Sequence, residues 1–258
     1  MRKIFIIAII CFCFACHKNN SSYVVPSITT KTITGTVNLY DQFGHRKGSA
    51  DSVTIYLNGI NGSTLANSTI FYPSNDTAVT DSTGKYIFYD ITEGNYNITF
   101  VKSGYDTVKV TNYVIKGSAT SSSLAAVVLQ ATSSTVVSNL SVMSKGDTTS
   151  DTVNISGLIT PASIPGSVRD VIVYIDTSAS VSSTNYIYAK PYISTSGSTF
   201  NLTIYPYNLG FTSGTKLYFI AYGQPFGPSN SYRDPTTGLL VYPGLNATPS
   251  NIQTITLP

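Results

Sequence analysis

From Thr32 onward, apolar and polar residues alternate in short runs, and each run stops at a turn residue. Ile33, Gly35, Val37 and Leu39 alternate with Thr34, Thr36 and Asn38. Val53, Ile55 and Leu57 do the same before Asn58-Gly59, and Val79-Thr80 leads through Asp81-Ser82-Thr83-Gly84 to Tyr86 and Phe88. Residues 90–94, 96–100, 104–105 and 108–110 continue the pattern, and 124–129 closes it. A period of two marks strands with one buried face, and turns at this spacing predict an antiparallel sandwich. A second set follows at residues 136–143, 153–159, 168–175, 186–193, 200–205, 216–222 and 252–257. Seven strands over about 120 residues suit an immunoglobulin-like or fibronectin-III-like sandwich. No stretch sustains a helical period. The predicted fold is all-β, with antiparallel β-sandwich domains at 32–130 and 135–258. Residues 131–139 read as a short hinge that merges into the second set.

Several pieces of the first set stand in a familiar order: Gly35-Thr36-Val37, Val53-Thr54-Ile55-Tyr56-Leu57, Thr80-Asp81-Ser82-Thr83-Gly84-Lys85-Tyr86, Ile91 to Gly94-Asn95-Tyr96, and Gly104-Tyr105. Together they resemble the carboxypeptidase regulatory-like domain across residues 32–130. That resemblance implies a seven-stranded transthyretin-like sandwich. The residues agree physically: Thr80 to Gly84 reads as a hairpin loop, with Asp81 capping its own backbone and Gly84 free to take positive φ. In the second set, residues 214–222 resemble the penultimate strand of a fibronectin-III-like domain. The corner tyrosine of that family would fall at Leu217, whereas this chain has Tyr218 one step later. One step turns a side chain to the opposite face, which argues against the corner hydrogen bond.

The amino terminus changes the picture. Met1-Arg2-Lys3 precedes an almost wholly apolar run to Ala15, and Cys16 follows. Two charges, a short apolar core and a small residue before the cut form a signal-peptide pattern. The run is shorter than the roughly 20 apolar residues that cross a bilayer. Ala15-Cys16 resembles the lipobox of bacterial lipoproteins. The resemblance implies a signal peptide at 1–15, a lipid on Cys16, and a tether at 16–31. The expected location is the cell envelope, anchored by lipid at the outer membrane. All three cysteines lie within the first sixteen residues, so after cleavage no disulfide can form. The two sandwiches must rest on apolar cores.

Charge narrows the partners. Of the formal net charge of +3, Arg2 and Lys3 would leave with the signal, and Arg46-Lys47 is the one remaining basic pair. No stripe of cations tracks a phosphate backbone, so nucleic acid is not a predicted partner.

Catalytic candidates are sparse. His17 sits in the tether and His45 beside Arg46-Lys47, and neither stands between a nucleophile and a carboxylate. The single glutamate, Glu93, adjoins a turn glycine, and most of the aspartates sit beside Ser, Thr or Gly, as turn formers do. Asn75, Asp76 and Asp81 lack the regular spacing of a calcium loop. A self-made Lys–Asn cross-link, found in some related surface sandwiches, needs an acid where this chain has Phe100. No catalytic residue, metal or cofactor is predicted, and the chain reads as a non-enzyme.

Tyrosine is the conspicuous residue, with nineteen Tyr and no Trp. Tyr205, Tyr207, Tyr218, Tyr222, Tyr232 and Tyr242 cluster late. Such rings stack on sugars, anchor protein contacts, or simply fill strands. The Pro/Gly-rich connection 224–235 offers a contact loop, with Phe226, Tyr232 and Arg233 as its candidates. Triplets of Asp, Ser or Thr, and a small or aliphatic residue resemble the O-glycosylation motif of exported Bacteroidetes proteins. They mark Ser52, Thr77, Ser82, Thr107, Thr148 and Thr152. Turn-to-strand junctions favour the same triplets. The reading is a non-catalytic cell-envelope lipoprotein acting as a binding or assembly module. Glycan capture beside an outer-membrane uptake system is one form of it. An adhesin or fimbria-like subunit that assembles through sheet edges is the alternative. The partners are the membrane through the lipid, and a glycan or an envelope protein.

Overall fold

Two hydrophobic cores organise the chain, one drawn from Ile33 to Leu129 and the other from Val137 to Leu257. The computed structural model describes residues 30–60, 63–64, 70–71, 75–117, 121–145, 152–194, 196–226 and 230–258. The signal segment 1–15, Cys16, nearly all of the tether, and Thr148 lie outside the described residues.

The first sandwich begins with β1 (Thr30–Tyr40), β2 (Thr54–Gly59) and the short pair β3 (Ser63–Thr64) and β4 (Ile70–Phe71). It continues through β5 (Asp76–Val79), β6 (Lys85–Thr92), β7 (Gly94–Val101), β8 (Val108–Ile115), β9 (Ser121–Ser123) and β10 (Val127–Gln130). One sheet is ordered β5-β2-β7-β8 and is antiparallel throughout. In the other, β1 pairs antiparallel with β6 but parallel with β9 and then β10. The parallel ladder departs from a purely antiparallel sandwich. It arises because the chain crosses over from β8, in the opposite sheet, before lying along β1.

Along β1 the alternation is strict, with Ile33, Val37 and Leu39 inward and the threonines outward. The strand starts two residues before the alternation predicts, at Thr30. Lys31 is in phase with Ile33 and is buried, its ammonium 3.4 Å from Glu93 and donating to the Gly117 carbonyl. Hydropathy assigns a lysine to the tether, and only its ion pair shows that it belongs inside.

The Asp81 turn differs from a simple hairpin. Asp81 Oδ1 accepts from the Thr83 and Lys85 amides at 2.8 and 3.0 Å. Gly84 has φ 82°, and a Cβ there would lie 2.1 Å from the Val37 carbonyl oxygen. The strands it joins, β5 and β6, diverge into different sheets.

The second sandwich holds β11 (Val136–Lys145), β12 (Thr152–Ser163), β13 (Arg169–Asp176), β14 (Tyr188–Ser194), β15 (Gly197–Ile204), β16 (Lys216–Gln224), the short pair β17 (Tyr232–Arg233) and β18 (Leu240–Val241), and β19 (Gln253–Thr256). Its sheets are β11-β12-β15 and β14-β13-β16-β19. Leu217 is fully buried between them, and Tyr218 stands half-buried on the other face, as the one-step offset requires.

Strand β13 is buried at every position. Val171, Val173 and Ile175 fill the space between the sheets. Ile172 and Tyr174 face the other way, into a third cluster with Val181, Tyr186, Ile220, Leu239, Tyr242 and Leu245. Residues within 177–187 and 230–252 supply that cover. A strand dry on both faces reads as a continuous apolar run, and Val171 to Ile175 is one.

Candidate functional site

The loop singled out for contact folds back onto the first sandwich. The Phe226 amide donates to the Gln42 carbonyl at 2.8 Å, and the Gln130 side chain donates to the Phe226 carbonyl. Asn230 Nδ2 donates to Asp106 Oδ2 at 2.5 Å and to the Val128 carbonyl at 3.0 Å. Tyr232 is half-buried with the Lys109 ammonium 5.3 Å from its ring centroid. Arg233 turns back within its own loop and donates to the Gly238 carbonyl. Phe226 and Tyr232 thus meet residues of this same chain, which the sequence order conceals.

Residues expected to form a hinge are packed into this joint. Ser133 and Thr135 are buried, and the Ser133 amide donates to Gly244 at 2.8 Å. Gly223 lies so close that a Cβ would sit 1.9 Å from the Thr135 carbonyl oxygen. Gln42 exchanges hydrogen bonds with Ser134 at 2.8 and 2.6 Å, and the Arg169 guanidinium stacks 4.6 Å from the Phe43 ring centroid. The joint leaves a partly open recess of about 10 Å³ between Asp106, Gln130, Gln224 and Asn230. That is space on the scale of one water molecule.

Two carboxyls at this joint are electrostatically unusual. Burial pushes Asp106 above its ordinary range, despite donors from Asn230 and Gln130. Burial raises Asp170 to about 7. It stands opposite Gln224 in the ladder, and neither Asp170 Oδ1 nor Gln224 Oε1 has a partner. Tyr174 is also pushed up by burial, with the phenols of Tyr186, Tyr242 and Tyr222 nearby.

The late tyrosines separate by environment. Tyr174 packs against Tyr186, Tyr222 and Tyr242 at centroid distances of 4.8, 5.7 and 6.3 Å. Tyr186 donates to the Leu240 carbonyl at 2.5 Å, and Tyr207 to that of Pro258 at 3.1 Å. Tyr218, Tyr222 and Tyr242 pack on the covered face of the sheet. Of the six, Tyr205 alone is exposed, at 55%.

Tyr205 borders a groove of about 170 Å³ with Tyr188, Lys190, Thr203, Ile204, Asn208 and Leu209. The groove exists because β14 and β15 end different sheets and do not pair, leaving the sandwich open along that side. Tyr188 and Lys190 come from β14. Ile204 anchors β15 in the core, and Pro206 starts a 3₁₀ turn (Pro206–Leu209) that presents Asn208. Lys190 is the one charged side chain among the lining residues. The sequence signal for this site was Tyr205, whereas Lys190, Thr203 and Asn208 carried none.

The hydroxyls marked for glycosylation are dispersed. Ser52 is exposed at φ 58°, with its Oγ 3.2 Å from Asp51. The Ser49 and Ser52 hydroxyls hold the Asp51 carboxyl below its usual range. Thr77 and Ser82 are exposed on β5 and in the Asp81 turn. Thr107 is half-buried beside Asp106, whose carboxylate serves the joint. Thr152 donates to the Lys145 carbonyl at 2.8 Å.

The catalytic candidates remain apart. His45 Nδ1 lies 3.3 Å from Asp41 Oδ2 in an exposed turn. Burial raises Asp41, but donors from His45 and Phe43 outweigh it and hold the carboxyl below its usual range. Asn75 accepts from the Gly59 amide at 3.0 Å. Among the described residues, no three His, Cys, Asp or Glu side chains gather in a group able to hold a metal ion.

No protein-family model matches the chain, and no curated protein matches it significantly. Among solved structures, it is similar to a protein proposed to bind carbohydrate from Bacteroides uniformis. That match has 12% identity, 88% of this chain and 99% of the other covered, and a TM-score of 0.31. A DUF3823 family protein from the same species matches with 11% identity over 89% and 100%, TM-score 0.30. The full-length major pilin SpaD of Corynebacterium diphtheriae matches with 10% identity over 88% and 65%, TM-score 0.28. Superpositions this loose leave the reading of function to the chain's own residues.

Proposed function

We propose that this protein is a non-catalytic envelope lipoprotein, held at the outer membrane by lipid on Cys16, that captures glycans. The first domain is then a carboxypeptidase regulatory-like sandwich and the second a fibronectin-III-like one. The strand orders support this, because three strands facing four, β11-β12-β15 against β14-β13-β16-β19, is the division that such a sandwich uses.

The observation that carries glycan capture is Tyr205. It is the late tyrosine whose ring is free to meet a ligand, and it stands beside an amine, a hydroxyl and an amide. An aromatic face with convergent polar groups matches the apolar face and hydroxyl rim of a sugar ring. No carboxylate stands among the groove's lining residues.

Assembly through sheet edges has less support. The edge strand β14 carries Lys190 and Pro191, and the edge strand β8 kinks at Asn112 with φ 56°. Charge, proline and distortion all discourage strand addition.

The test is retention on an immobilised polysaccharide panel, together with membrane fractionation. Wild type is retained on at least one polysaccharide and sediments with membranes, whereas Cys16→Ser appears in the soluble fraction. Absence of retention on every polysaccharide sinks glycan capture, and a membrane-bound Cys16→Ser protein sinks the anchor.

A further inference from the structure

We infer that the groove between β14 and β15 binds an oligosaccharide bearing a uronic acid, with Tyr205 stacking on the sugar ring and Lys190 pairing with the uronate carboxylate. The inference rests on the glycan-capture reading and specifies its site and ligand class.

The first argument is charge. Lys190 lies in the groove with Tyr188, Thr203, Tyr205 and Asn208, and no carboxylate lines it. The acid at the end of β13, Asp176, is buried and already accepts from the Ser178 amide at 2.8 Å. A lone ammonium in a partly enclosed groove attracts an anion, and fixed charge there discriminates between ligands more than it adds raw affinity. A neutral sugar would leave it without a counter-charge.

The second argument is shape. About 170 Å³ falls below the roughly 300 Å³ at which sites for drug-sized ligands begin. The groove therefore grips one unit of a longer chain and leaves the rest in solvent. A phosphate or a bare carboxylate would have no use for Tyr205, whose ring is 55% exposed at the rim. A uronic acid unites the two requirements in one residue, a carbohydrate face for the ring and a carboxylate for the ammonium.

The third argument is support. Tyr188 packs against the second core, and Lys190 follows it on the same side of β14. Tyr207 is tied to Pro258, and Pro206 and Phe211 are buried on either side of Asn208, so the turn carrying Tyr205 and Asn208 is held at both ends. Groups on supported elements bind without a large ordering cost.

The experiment compares the purified protein with Lys190→Gln, Lys190→Arg and Tyr205→Ala on an array of neutral and uronate-bearing oligosaccharides. The array includes galacturonides, glucuronoxylan fragments, alginate fragments and their neutral counterparts, and hits are followed by calorimetry. Wild type should bind a uronate glycan about tenfold or more tighter than its neutral counterpart, a difference of about 1.4 kcal/mol. Lys190→Gln should erase that preference while keeping weak binding, and Lys190→Arg should restore it. Tyr205→Ala should weaken every hit about tenfold, with an unchanged unfolding midpoint because the ring is exposed. Binding without preference for uronate, or a preference that survives Lys190→Gln, overturns the inference and leaves glycan capture standing. Binding untouched by Tyr205→Ala places the site elsewhere and overturns it too. No binding on the array overturns both readings.

Discussion

Strands β7 and β13 hold the same place, each an inner strand of a four-stranded sheet, yet water treats them differently. In β7 burial alternates: Tyr96, Ile98 and Phe100 are inward, while Asn97 and Thr99 reach solvent. In β13 every residue is buried. The sheets are not responsible, since both bury one face against an opposing sheet. The difference lies in the connections. Residues within 177–187 and 230–252 fold over the outer face of β13, and among the described residues Asn97 and Thr99 have no comparable apolar cover. A covering loop turns the outer face of a sheet into core, and the strand sequence answers with Val171-Ile172-Val173-Tyr174-Ile175 in place of Tyr96-Asn97-Ile98-Thr99-Phe100.

The comparison is broken most strongly at Tyr174. Tyr174→Ala removes a fully buried ring from a cluster of three other tyrosines. Urea unfolding of the second sandwich should show a loss of about 3–5 kcal/mol. Equal stability of mutant and wild type would mean that the loop does not seal this face.

Asp170 tests the same cover through pH. Its folded pKa, about 7, lies above the unfolded value near 3.8. Below pH 4 both states are protonated and nothing is lost. As pH rises from 4 to 7 the unfolded chain ionises first, so stability falls, and above 7 the penalty is constant. Asp170→Asn should flatten this decline and exceed wild type at pH 8 by a few kcal/mol, at about 1.4 kcal/mol per pKa unit. A wild-type curve flat over this window would show that Asp170 is not held in an apolar site.

The joint gives a smaller effect. Asn230→Ala removes a donor from the buried carboxylate of Asp106 and should cost about 1–3 kcal/mol. Thermal unfolding reads the loss, and limited proteolysis should gain cuts within 225–252. An uncut loop would show that the contact with the first sandwich is incidental. At the bottom of the scale, Thr99→Ala on the open face of β7 should shift stability by less than about 0.5 kcal/mol. A larger change would reveal a cover on that face too.

Much of the architecture was legible because strand faces obey a local rule. The threonines of β1 announced their outward face, and Leu217 and Tyr218 revealed their opposite orientations through a single step. Lys31 kept the correct phase, but hydropathy cannot foresee an ion pair with Glu93. The Asp81 turn was recognisable from its capping chemistry, while the divergence of β5 and β6 was not, because local turn geometry does not record which sheet each strand joins. The contact loop was conspicuous for its length and composition. That it closes on its own chain depends on Asn230 meeting Asp106, 124 positions away. The triplet at Asp106 shows the same blindness, since nothing local in it records that its carboxylate also anchors the joint.

By itself, the sequence determined the longer strands, most of their inward faces and two cores, because a period of two is set by neighbours along the chain and by the pleat. Tertiary structure alone decided which outward faces stay wet, which loop becomes a joint, and which of the late tyrosines remains exposed. Burial of an outer face is a property of whatever folds across it. Tyr242 lies far along the chain from Tyr174 and still seals it, while Tyr205 escapes because β14 and β15 end separate sheets and leave the edge between them open.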